Sequence, residues 1–196
     1  TPETRRPEDA VAHQRAGELL LLQAFRDPSI RQRLDGADVS FMRAATDYNG
    51  HFYGMHVNVM LRKHSAKDLV NHLVPFLVTR FYACAGGFGA RGFQMSQKNA
   101  SVEAVASDGA RTNKAIVNLR EKPNAAPPAR RIHLTHQDAT MSELNVYLTV
   151  AVSALVLRML DEGAVVGPAL ALADPIGALR VLDSDPTGTT PLLLAC

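Results

Sequence analysis

The chain has 196 residues, 46% of them hydrophobic and 20% charged, which is a globular composition with length for one domain and a real core. Its formal charge of +2 demands no nucleic-acid partner. Trp is absent and no basic run interleaves with aromatics, which argues against a base-stacking platform. Cys84 and Cys196 lie far apart with no Cys-x-x-Cys, so no disulfide framework is expected and a reducing, cytoplasmic setting is.

The chain opens on Thr1 without Met and stops at Cys196, directly after Leu192, Leu193 and Leu194. Neither end reads as a natural terminus, so a piece of a longer chain is expected. Pro7 with Glu8 and Asp9 predicts a helix start, and an amphipathic helix of about fifteen residues follows by its period. Asp27-Pro28 stops it. A short helical turn over 29–34 and a turn at Asp35-Gly36 come next, then an expected strand over 39–45.

From Met55 to Met60 the apolar residues alternate, the period of a half-buried strand. His56 and Asn58 then share one face, about 7 Å apart. An imidazole ligates divalent metals, and a carboxamide hydrogen-bonds a polyphosphate or an adenine edge. The same spacing also suits two solvent-facing polar residues.

Residues 66–85 have helical spacing with Pro75 inside, which suggests a kink or a restart. Ala85-Gly86-Gly87-Phe88-Gly89 follows a helix rather than a strand, so a helix cap and flexible loop is favoured over a phosphate-binding turn. Short strands are expected over 93–97, 102–105 and 114–119, and a proline-rich lid over 121–129. Arg130 to Leu134 alternates again, with Arg131 and His133 on one face. Arg131 suits phosphate as a bidentate fork; pairing with Asp138 or Glu143 is the alternative.

Residues 141–161 predict a long helix whose core stripe is Leu144, Leu148, Val152, Leu155 and Met159. Its apolar part, 146–160, is interrupted by polar residues and short for a membrane span, so no membrane partner is expected. Asp174-Pro175 opens a last short helix to about Leu182. A turn at 185–188 and a strand start at 192–194 close the chain.

Gly54-Met55-His56-Val57-Asn58, then Arg131-Ile132-His133, then Asp138 before a helix resemble the glutamine-synthetase superfamily. Within it, Thr1-Pro2-Glu3, Val74-Pro75-Phe76-Leu77-Val78-Thr79-Arg80, Gly92-Phe93-Gln94-Met95-Ser96-Gln97 and Met141-Ser142-Glu143 resemble the Pup ligase and Pup deamidase/depupylase family, in order across nearly the whole chain. Pro7 to Val11 and Asp185-Pro186-Thr187 look more like the deamidase branch.

That resemblance implies an α+β fold, a curved, mainly antiparallel sheet backed by helices, with residues 1–196 the central part of one catalytic domain. It implies an ATP- and Mg2+-dependent deamidase and depupylase acting on Pup and on Pup–lysine isopeptide bonds. The alternatives are a Pup–protein ligase working through a glutamyl phosphate and a non-catalytic modifier-binding homologue. By resemblance, Thr1, Asn58 and Arg131 meet the nucleotide, His56 and His133 the metal, and Arg120 lies in the substrate pocket.

The family's Glu between the first-strand His and Asn is Val57 here, and its acidic, His-bearing loop reads Arg120-Glu121-Lys122-Pro123-Asn124-Ala125-Ala126. The resemblance places the catalytic Asp and the Glu-x-Glu metal ligands before Thr1. Residues 1–196 alone are therefore expected to be poorly soluble and inactive.

Overall fold

The computed structural model describes residues 3–47, 49, 51–89, 92–109, 114–119, 129–165 and 168–195. Thr1, Arg120 and positions 121–128 of the expected lid lie outside the described residues.

A four-stranded sheet carries the site. Its strands are β1 (Val57–Leu61), β4 (Ala104–Ser107), β5 (Ala115–Asn118) and β6 (Arg130–Leu134), in the order β1-β6-β5-β4. The β1–β6 and β6–β5 pairs are antiparallel and the β5–β4 pair is parallel, so the sheet is mainly antiparallel as expected. Val57 and Leu61 of β1, with Ile132 and Leu134 of β6, point into one buried cluster. Helices α3 (Ala66–Thr79), α4 (Glu143–Asp161) and α5 (Pro175–Asp183) close it with Leu73, Leu77, Leu157 and Leu179.

Local chemistry sets the helix ends. A capping box starts α3, with the Ser65 and Asp68 side chains each bonding the other's backbone N–H. The helix runs unbroken through Pro75 and ends at Thr79, short of the expected Ala85. Arg80 leaves helical geometry, and one 3-10 turn (Phe81–Ala83) follows. Asp174 caps α5 by accepting from Gly177 N at 2.9 Å.

Three further expectations change. Residues 39–45 form no strand: no ladder partner meets them among the described residues, and Phe41 instead packs edge-on against Phe25 of α1 (Pro7–Arg26) at 5.2 Å. The glycine-rich segment is a hairpin rather than a cap, β2 (Gly87–Gly89) against β3 (Gly92–Gln94), with Phe88 across from Phe93. Gly86 enters it at φ +61°, a conformation that favours glycine.

The third correction concerns the amphipathic faces. No residue of α1 is buried, and Leu19, Leu20, Leu21 and Leu22 face outward. In α4 the expected core stripe is wrong: Leu144, Leu155 and Met159 are exposed, while Val146, Thr149, Ser153, Leu157 and Leu160 are buried. At 19 residues α4 is also long and apolar enough to cross a bilayer, which the shorter reading of 146–160 missed. Core helices pass the same test.

Asp161 ties the last turn of α4 to the exit of β1. Its carboxylate accepts from the backbone N–H groups of Arg62, Lys63 and His64 at 2.8, 2.9 and 3.0 Å, with the His64 ring 3.4 Å away. Burial pushes its pKa up, but these contacts outweigh burial and hold it below the ordinary carboxylate value. A depressed folded pKa adds stability above the unfolded value and loses it as pH falls through the folded one. Asp161→Asn should therefore lower the melting temperature at neutral pH, and the deficit should close as acid protonates the wild-type carboxylate. A deficit that is the same at pH 7 and in strong acid would exclude this linkage.

Candidate functional site

Register brings the two sequence pairs together. In the β1–β6 ladder Asn58 lies opposite His133 and Met60 opposite Arg131. Directly opposed residues point to the same side, so Asn58, Arg131 and His133 share a face turned away from the Val57, Ile132 and Leu134 core. His56 sits one residue before β1 and joins them: its ring meets the His133 ring edge-on, centroids 4.8 Å apart. His56 and Asn58 are exposed, Arg131 and His133 half-buried.

The alternative pairing for Arg131 does not form. Asp138 accepts from Ala85 N, Ser96 Oγ and Lys98 N, and Glu143 pairs with Arg15. The buried Nε of Arg131 has no hydrogen-bond partner among the described residues. A guanidinium N–H held out of water needs an acceptor, and an anion set against this face would supply one.

Behind the sheet face lies a polar cluster that sequence reading missed apart from Asp138. The chain leaving β6 has its carbonyls held in succession by the half-buried Lys98 and the buried Arg80. Lys98 Nζ donates to Thr135 O and, at 3.3 Å, to Gln137 O; Arg80 Nη2 donates to His136 O at 2.7 Å. Met55 N also donates to Gln137 O, and Gly54 bridges Asp138. A Cβ on Gly54 would stand 2.5 Å from Gln137 O and 2.3 Å from Lys98 Nζ, so only glycine lets β1 enter this close.

Burial moves the charges of this cluster. It lowers the Lys98 ammonium to about 8 and the Arg80 guanidinium to about 10. Burial first, then Arg80 and Lys98, lower His136 to about 3, so that ring is neutral at pH 7. Burial and then Asp138 push the Cys84 thiol up to about 12, which leaves it protonated and unsuited as a nucleophile. Arg80, Ser96, Asn99, His136, Gln137 and Asp138 line a cavity of about 20 Å³. Ligand pockets run to about 300 Å³ or more, so this interior site excludes a nucleotide or peptide and the sheet face is the binding candidate.

The donor set decides what fits the face. Mg2+ takes oxygen ligands, whereas the β1–β6 part of the face offers two imidazoles and one carboxamide. Among the described residues, no three His, Cys, Asp or Glu side chains gather to hold a metal. These residues alone do not make a Mg2+ site. A phosphate fits better, because Arg131 brings a charged fork with an unanswered donor.

Comparison with known proteins places the chain in a family. A family model described as Pup-ligase protein matches residues 1–195. A depupylase of Acidothermus cellulolyticus is 35% identical over 196 residues, covering 95% of this chain and 38% of that protein. A Pup–protein ligase of Gordonia bronchialis is 36% identical, covering 94% of this chain and 43% of that one. Among solved structures, the Pup ligase PafA in complex with ADP superimposes with a TM-score of 0.81 at 29% identity, over 99% of this chain and 44% of that one. The complex between Pup and PafA gives 0.78 at 26% identity, with 99% and 40% coverage. The chain thus spans less than half the length of these relatives.

Proposed function

Because the chain belongs to the Pup-ligase protein family, we propose that residues 1–196 form part of the catalytic domain of a cytoplasmic, nucleotide-dependent enzyme that acts on Pup, with the β1–β6 face as its nucleotide side. The observation that carries this reading is the buried, unanswered Arg131 Nε beside Asn58 and His133 on one face. Arg131 grips phosphate oxygens, and Asn58 donates or accepts at the same ligand. His56 and His133 stand close enough to share a divalent ion, and Mg2+ in that place needs carboxylate oxygens from other residues. ATP bound here brings the phosphoryl chemistry, while these side chains orient it. The nucleotide reading is supported by the ADP held by PafA, and the Pup reading by the complex of PafA with Pup.

The first reading of the reaction is deamidation and depupylation, from the motif runs that resemble that branch. Ligation is the second, favoured because the two solved structures described above are of a ligase. One assay separates them: the full-length protein with ATP and Mg2+ is offered a Pup–lysine conjugate, or Pup ending in Glu plus a lysine-bearing protein. Release of free Pup supports the first, conjugate formation the second, and neither leaves the non-catalytic homologue.

Arg131→Ala should weaken nucleotide binding about ten- to a hundredfold, the loss of one charge-assisted bidentate contact of roughly 1.5–3 kcal/mol. Calorimetry with ADP measures it directly. Unchanged affinity would remove Arg131 from the site, whatever the enzyme turns out to catalyse.

A further inference from the structure

We propose that Asn118 is a positioning residue for His133: its side-chain oxygen accepts the ring Nε2–H, Nδ1 having no hydrogen-bond partner among the described residues, and so fixes both tautomer and orientation of the imidazole. The inference rests on the reading of His133 as a ligand-facing residue. It starts from the ladder. Asn118 is the β5 residue directly opposite His133, and Asn58 is the β1 residue directly opposite it on the other side. Asn58, His133 and Asn118 therefore make one row across three strands, all on the same face, with neighbouring side chains about 5 Å apart at Cβ.

The two carboxamides differ in burial. Asn58 is exposed, whereas Asn118 is 6% exposed. A buried carboxamide must be hydrogen-bonded, and little water competes for it there, so its partner is held in one geometry. Asn58, open to solvent, is the one left to meet a ligand. An imidazole that offers a lone pair through one nitrogen needs its other N–H anchored, and a carbonyl-type oxygen is the usual anchor. The His56 ring already occupies one side of His133. Asn118 flanks it on the β5 side. No sequence pattern points to this pair, because Asn118 and His133 stand fifteen positions apart and only the β5–β6 register joins them.

The test uses the full-length protein with 15N-labelled histidine at about pH 8, where an ordinary imidazole is neutral. NMR should find His133 in a single tautomer. In Asn118→Leu the ring should populate both tautomers. Asn118→Asp keeps the acceptor oxygen and should retain the single tautomer. Mixed tautomers in the unaltered protein would overturn the proposal even if the Leu variant fails to fold. So would a single tautomer that persists in a folded Asn118→Leu. This readout uses neither nucleotide nor Pup, so loss of the functional reading and loss of this one are separable.

Discussion

Asp138→Ala should lower folding stability by about 3–5 kcal/mol, one of the two largest losses expected from a single change in this chain. Asp138 is 2% exposed and accepts from Ala85 N at 3.1 Å, Ser96 Oγ at 3.0 Å and Lys98 N at 3.4 Å. Truncation strands these donors in the interior. It also removes the carboxylate that acts on the half-buried Lys98 ammonium. Asp138→Asn keeps one acceptor oxygen and sheds the cost of burying a charge, so it should lose less than half as much. Urea unfolding of the three proteins gives the comparison. An Ala variant with the wild-type midpoint would mean that Asp138 does not hold the 85–98 segment.

The sequence made the same-face pairs legible because a period of two fixes which strand residues share a face. His56 with Asn58 and Arg131 with His133 needed only that the strands be neighbours, and β1 and β6 are. The cluster behind them was not legible. Arg80, Lys98 and His136 come from three separate segments, and what joins them is a run of backbone carbonyls, which no side-chain pattern reveals. The expected strand at 39–45 failed for a related reason: alternation describes a residue's two faces but not whether a partner strand exists.

The second large effect is Leu157→Ala, expected to cost about 2–5 kcal/mol by leaving a cavity among fully buried neighbours. Leu157 is 0% exposed and packs in the cluster with Val57, Leu61 and Ile132; Leu155, two positions away, is 58% exposed. Leu155→Ala should therefore stay within roughly 0.5 kcal/mol of wild type. Helical spacing alone favours neither residue. Residues 144, 148, 152, 155 and 159 form one stripe, and 146, 149, 153, 157 and 160 form another. The first is wholly apolar and the second contains Thr149 and Ser153, so hydrophobicity selects the wrong one. What reverses the choice is Arg80. Its buried guanidinium needs acceptors, and Ser153 Oγ supplies one at 3.3 Å, which turns the Ser153 face of α4 inward and carries Leu157 with it. Thermal melts of the two variants distinguish the faces. Equal destabilisation by both would mean that the outward stripe of α4 is also covered in the folded protein.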